Sequence, residues 1–467
     1  SILKLASAQG YEEGMQRAKK EEAAKQQARR KQEEVQEQAI KEQKEEQEKI
    51  IEKMIQAVAK MFSCKKIHIG MDEAHHLGRG KYLDRHGLQD RFDILLSHLN
   101  RVCQIADKYD FEPMMWGDMF YRLANGGEYY EASSQFDASI KAKIPEKLTL
   151  VYWDYYSTEK EHYTRFIKHF KKITDNIIFA GGAWNWLGFC PDNAYSIKEL
   201  KAAFEACWEE GIQEVFITTW QDNGADCSIF AVLPTVVAAA EFARGNFDAD
   251  IIKRKFREVI GSEFDDFMAL EMPDKLKTLE KNPQRYLLNP TKYLLYNDPF
   301  LGYWDSTINS DDLQIFKQSV ERLNDCAHRN KEWKYLFDSI AKLALVLEIK
   351  FDLGLRTREA YQKNDRNTLH QLVFEDYPEL IKRLRLFYSS YEKRWMKENK
   401  SNGFEVQDIR LGGLIKRVVH CRKMLKDYLQ NKTGKIEELE ECLLDFKGGK
   451  WATTFNNYLA TVTVNKM

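Results

Sequence analysis

The sequence predicts an α/β chain: a (β/α)8 TIM-barrel-type region with about five strands evident, an all-α module after it, and a charged helix before it. Three observations predict this. Between residues 64 and 245, short apolar runs alternate with longer stretches of helical pattern, which is how a parallel sheet with crossover helices reads. Those runs are continuously apolar, as strands covered on both faces require. Composition also breaks sharply near residue 50, and after residue 245 the pattern becomes mainly helical, dividing the 467 residues into 1–49, 50–245 and 246–467.

Residues 11–49 are nearly all Lys, Arg, Glu, Gln and Ala, with neither Gly nor Pro after Gly14. Such residues favour helix, and many Glu–Lys pairs lie three or four apart. Between Lys25 and Lys49 only Ala28, Val35, Ala39 and Ile40 are apolar, too few for a sustained coiled-coil seam. From Ile50 to Phe62 the apolar residues Ile50, Ile51, Met54, Ile55, Val58, Met61 and Phe62 recur at helical spacing, so a second, packed helix is expected there. Strands follow at "KIHIG", "EPMMW", "LTLVYW", "NIIFAGG" and "EVFITTW", with helices predicted over 89–108, 158–172 and 196–210. The last region reads as helices over 311–329, 333–353, 377–398 and 412–430, with an Asn/Pro/Tyr-rich segment, "KNPQRYLLNPTKYLLYNDPF", before them. No internal repeat is present.

Formal net charge is −1, so no basic field points to nucleic acid or to an anionic membrane. No window reaches about 18 consecutive apolar residues, and the first residues lack the pattern of a signal peptide. The eight cysteines are scattered without CxxC or zinc-ligand spacing, as in a reducing compartment. A cytoplasmic protein is the expectation.

Each apolar run ends in carboxylates and aromatic rings: "MDEAHH" (71–76), "WGDM" (116–119), "YWDYY" (152–156), "AWNW" (183–186) and "WQDN" (220–223). Barrel active sites gather at the C-terminal ends of the strands, and five such endings in succession mark an active face. The "DEAH" spelling also occurs in nucleic-acid ATPases, but the phosphate-cradling GxxxxGK[ST] loop is absent. His68, His75, His76 and His86 invite a zinc reading, yet neither HExxH nor HxxEH is present. His68 reads as a satisfied core histidine. Asp72 and Glu73 are adjacent and cannot straddle a glycosidic bond from opposite sides. Adjacency suits a division in which one carboxyl handles the proton and the other orients a nucleophile carried by the substrate, such as a 2-acetamido group.

"HIGMDEA" resembles the H-x-G-x-D-E signature of family 20 glycoside hydrolases, the β-N-acetylhexosaminidases. The resemblance extends through "WGDMF", "LVYWDYY", "FAGGAWNWLGF" and "WQDNG" into "NPQRYL", "DIRLGG" and "ATTFNNY". It is closest to the intracellular bacterial type with a helical domain after the barrel. It implies an exo-acting retaining enzyme that releases terminal N-acetylglucosamine or N-acetylgalactosamine through the 2-acetamido group, without metal or cofactor. Its partner would be a β-linked N-acetylhexosamine oligosaccharide or glycoconjugate, with no nucleic acid and no membrane. Glu73 would be the general acid and base, and Asp72 would hold the acetamide N–H. Tyr155 would donate to the acetamide oxygen, with Tyr156 and Asp154 as alternatives. Trp116, Trp184 and Trp220 would wall the sugar, Asp222 would accept from its outer hydroxyls, and Asp118 would support the acid.

The signature pair belongs to the fourth strand of that family's barrel, and residues 1–49 hold too few apolar residues to form three buried strands. Completion of the barrel by another chain, including a homo-oligomer, is one expectation; a fused or truncated reading is another. The competing reading is a catalytically inactive half-barrel relic acting as an interaction or scaffold protein through its charged helix.

Overall fold

The computed structural model describes residues 2–130, 138–222 and 224–445. They fall into two compact units, one of residues 1–153 with 168–178 and one of residues 154–167 with 179–467.

In the first unit, Ile2–Met61 is one continuous helix, α1. The shift in composition at Ile50 does not interrupt it, because good helix formers lie on both sides and no Gly or Pro intervenes. The separate helix expected from Ile50 is therefore the seated end of a longer one. Ile51, Ile55 and Val58 pack against Val102, Ile105 and Phe111. Glu48 pairs with Arg101 along the same seam, and Glu52 meets Lys108 at 3.1 Å. Strand β1 is only Lys66–His68. Helix α2, Arg91–Asp107, is capped by Asp90, whose side chain accepts from the Asp93 N–H, and it buries Leu95, Leu99, Val102 and Ile105.

Strands β2, Glu112–Trp116, and β3, Thr149–Trp153, complete the parallel set of this unit. Ile67 lies opposite Pro113, and Met115 opposite Leu150. Pro113 is tolerated because pairing with β3 begins one residue later, at Met114 opposite Thr149, so its missing N–H breaks no ladder bond. Gly117 then turns the chain into α3, Asp118–Ala124. A Cβ on Gly117 would lie 2.4 Å from the Phe170 ring, so only glycine lets the strand end pass beneath that ring.

In the second unit, β4, Ile177–Gly182, pairs in parallel with β5, Val215–Thr218. Helix α4, Lys160–Phe170, follows β3; α5, Asn193–Glu209, follows β4; α6, Leu233–Phe242, follows β5. Five parallel strands in chain order, each followed by helix, are a partial (β/α)-barrel, as expected. Helices α7, Leu313–Arg329, α8, Lys334–Lys350, α9, Tyr377–Glu398, and α10, Phe404–Leu429, form the predicted helical module. Phe316, Leu323, Phe337, Leu347, Leu384 and Phe387 are among its fully buried residues. Helix α10 begins at Phe404 rather than at the expected 412. Gly412 and Gly413 sit within it with no neighbour in reach, a cost of about 1 kcal/mol each that packing of Leu411 and Leu414 offsets.

All eight cysteines are free. Among the described residues, no helix is long and apolar enough to cross a membrane. The "ATTFNNY" stretch and Asn223 of "WQDN" lie outside the described residues.

Candidate active site

The chain leaves β1 through a contorted loop. Gly70, Met71 and Glu73 all have left-handed backbones, with φ of 75°, 73° and 46°. Such angles cost a non-glycine residue roughly 1 kcal/mol or more and persist only where surroundings impose them. Here they are imposed: the Glu73 N–H donates to Asp118 Oδ2 at 3.1 Å, and the Ala74 N–H meets Met119 Sδ at 3.2 Å. Asp118, fully buried at the start of α3, thus anchors the loop that presents the acid pair.

Arg122 completes this arrangement. Its Nε donates to Asp118 Oδ2 at 2.9 Å, a terminal nitrogen donates to Glu73 Oε1 at 3.1 Å, and the other donates to the Gly127 carbonyl at 3.2 Å. Both the backbone and the carboxylate of Glu73 are therefore held from α3. Asp72 and Glu73 themselves are exposed. Asp118, expected to support the acid, lies against the Glu73 backbone N–H; Arg122 was not singled out in the sequence.

His68 ends β1 with its ring 4.4 Å from that of Trp116, which ends β2. Its Nδ1 accepts from the Gly70 N–H at 3.1 Å, which places the proton of the neutral ring on Nε2. Nε2 is buried without a hydrogen-bond partner among the described residues, so the expected satisfied core histidine is satisfied at one nitrogen only. Burial pushes the imidazole below its usual range, against the opposing charge of Asp72.

In the second unit, the end of β3 turns Tyr155 into the core. Burial pushes its hydroxyl well above the ordinary tyrosine range, and the side chains of Thr218 and Trp220 oppose part of this. Gly182 makes room for it: a Cβ there would lie 2.7 Å from Trp186 and 2.9 Å from Tyr155. Tyr156 is 41% exposed, and Asp154 is fully buried, 2.7 Å from His162 Nε2. Of the three alternatives for the acetamide donor, Tyr155 is the one beside Trp220, with ring centroids 6.4 Å apart. Trp184 is buried, 4.4 Å from Trp186 and 5.6 Å from Tyr156. Trp220 is 39% exposed, and Asp222 next to it is exposed on the same loop.

That loop is fixed from the helical module. Lys292 Nζ lies 2.6 Å from Asp226 Oδ2, and both side chains are almost wholly buried. Gln407 donates to Asp226 Oδ1 at 3.0 Å and to the Gly224 carbonyl at 3.2 Å. Arg394 donates to the Asp226 carbonyl at 2.9 Å. Asp226 was not among the predicted site residues, since nothing local distinguishes it from an ordinary loop aspartate.

A model of the glycosyl hydrolase family 20 catalytic domain matches residues 5–172, and a model of the glycoside hydrolase 20C C-terminal domain matches residues 265–456. The chain belongs to glycoside hydrolase family 20. Of the predicted family 20 residues, Asp72, Glu73, Trp116, Asp118 and Tyr155 fall inside the catalytic-domain match, whereas Trp184, Trp220 and Asp222 lie beyond its end at residue 172. The 20C C-terminal domain match falls within the helical half. As a family 20 glycoside hydrolase, the protein has a carbohydrate substrate. No curated protein matches the chain. Among solved structures, a GH138 enzyme targeting pectin rhamnogalacturonan II is 10% identical, with 81% of this chain and 79% of that chain covered and a TM-score of 0.36. So distant a likeness carries no argument about the site.

Proposed function

We propose that this family 20 hydrolase is an exo-acting, retaining β-N-acetylhexosaminidase that uses the 2-acetamido group of its substrate as nucleophile. The observation that carries this reading is the treatment of the adjacent pair. Glu73 is held at backbone and carboxylate by Asp118 and Arg122, while Asp72 has no such tether among the described residues and is exposed for a substrate N–H.

In the first step the acetamide oxygen bonds to the anomeric carbon as the bond to the leaving oxygen breaks, and Glu73 gives that oxygen its proton. Asp72 accepts the acetamide N–H and balances the positive charge of the oxazolinium-like ring. In the second step water attacks the anomeric carbon, Glu73 takes its proton, and the ring reopens with net retention. Tyr155 donates to the acetamide oxygen; Trp116, Trp184 and Trp220 face the apolar side of the sugar; Asp222 accepts from its outer hydroxyls. Eight free cysteines support a reducing, cytoplasmic setting for this chemistry.

The test is hydrolysis of an aryl β-N-acetylglucosaminide by the purified chain and by Glu73→Gln. The variant should lose at least about 100-fold in kcat/KM, in line with removal of a general acid, and a thiazoline mimic of the bicyclic intermediate should inhibit the parent. Equal rates would remove Glu73 from the acid role. Turnover indifferent to the thiazoline would reject the acetamide as nucleophile.

A further inference from the structure

Residues 79–89, between the loop carrying the acid pair and α2, have no part in the roles above. Both ends of this segment are fixed. A Cβ on Gly78 would come within 2.9 Å of Ile94 Cδ1, and Asp90 caps α2. Between these points lies a short helix, Lys81–His86, that buries none of its residues. The hydrogen bonds from the Asp84 and Gly87 N–H groups and from the Gln89 side-chain amide all stay within the segment.

A glycine stands at each end of that helix in a backbone conformation that other residues avoid, Gly80 at φ 59°, ψ −135° and Gly87 at φ 68°, ψ −172°. Neither would bring a Cβ within 4 Å of a neighbour, so the turn of the chain calls for glycine there, not close packing. Two such positions around an unpacked helix make a pair of pivots. The helix and its exit carry apolar side chains into water: Leu83 is 40% exposed and Leu88 is 90% exposed. Beside them, in the same compact unit, is a cavity of about 500 Å³. Ile51 of α1, Leu77, and Ile94 and Leu95 of α2 give it an apolar floor. Tyr82 and Gln89, the sequence neighbours of the two leucines, already line it.

We propose that residues 79–89 are a flap that turns about Gly80 and Gly87 and seats Leu88 in this cavity. Withdrawal of a nearly bare leucine from water drives the closure, and the cavity's occupant is thus a side chain of the same protein. Met71 and Ala74, which flank Asp72 and Glu73, line the same cavity, so the seated flap braces the acid pair's loop in addition to the tether from α3. The bracing rests on the reading of Glu73 as the acid; the closure does not.

Disulfide trapping in the full chain tests the closure. With the exposed Cys64 and Cys442 replaced by serine, Leu88→Cys is paired with Ile51→Cys on the cavity floor, or with Lys53→Cys, two residues further along α1 and so on its opposite side. Cysteines bridge only when their Cα atoms come within about 7 Å, so mild oxidation should close the first pair at least about tenfold faster than the second. Equal rates, or no bond in the first pair, would overturn the flap. Because Ile51→Cys could loosen the seat of α1, the single variant Leu88→Asp, at an exposed position, is the second probe. Trypsin should cut it after Lys81 and Arg85 at least about threefold faster than the parent, at an unchanged melting temperature. Cleavage at the parent's rate would equally overturn the flap. On the aryl glycoside, Leu88→Asp should lower kcat about threefold with KM within about twofold, and an unchanged kcat would overturn the bracing. A parent without activity would overturn the proposed function and leave the closure standing, since neither the disulfide nor the trypsin reading requires turnover.

Discussion

Arg122 touches Glu73, Asp118 and Gly127 at once, and a forked guanidinium is suited to that where an ammonium is not. A displacement of about 1 Å at a reacting group can cost on the order of 100-fold in rate. Arg122→Gln should therefore lower kcat between roughly 10- and 100-fold and leave KM within about twofold, since Arg122 positions the acid and does not bind the sugar. Arg122→Lys should recover only part of the loss. Steady-state kinetics on the aryl glycoside would show this; an unchanged kcat in Arg122→Gln would mean that the tether to Glu73 is idle. Arg122 was within reach of sequence reasoning, because it stands four residues after Asp118 and such pairs meet on a helix. His68 was less so: its position within a strand was evident, but its half-satisfied state depends on the left-handed turn at Gly70.

Two elements of the second unit carry an acid that no sequence pattern reveals. Glu199 of α5 is fully buried; its Oε1 accepts from the Tyr163 hydroxyl at 3.2 Å, and Oε2 has no partner among the described residues. Burial, with the charge of Asp154 adding to it, pushes its carboxyl well above the usual range, and the bond from Tyr163 opposes only part of this. The folded chain thus holds a proton that the unfolded chain releases at ordinary carboxylate pH. Stability from this group is complete below about pH 4.5 and is lost as pH rises toward the raised value. Glu199→Gln, which cannot ionise, should flatten that decline, so that its melting temperature relative to the parent rises between pH 5 and pH 8. Parallel pH profiles for the two chains would contradict the assignment. The helices themselves were legible: 377–398 reads at its observed limits because the apolar face repeats at helical period. Glu199 was not, because it lies 45 residues from Asp154 and acquires its chemistry only when α5 packs beside Tyr163 and Asp154. The continuity of α1 was missed for the opposite reason, since a change in polarity was taken as a change in structure.

At the scale of the molecule, the helical module is more than an appendage, because it holds the loop that carries Trp220 and Asp222. Removing one partner of a buried ion pair costs about 3–5 kcal/mol. Asp226→Ala should destabilise the protein by about that amount in urea titration, through the stranded Lys292, whereas Asp226→Ala combined with Lys292→Met should recover much of it. A double variant as unstable as the single one would show that the loop depends on Asp226 for more than charge. The strands and their chemical endings were visible because each announces itself within a few residues; the Asp226 network was not, since it joins residues up to 183 positions apart. Helix α1 has a different bearing on the whole. At about 1.5 Å per residue its 60 residues make a rod near 90 Å long, seated through its last turns against α2. Fraying in such a rod stops at the packed turns. The strand that delivers the acid pair is thereby mechanically insulated: whatever tugs, cuts or binds the distant turns is absorbed before it reaches Ile67.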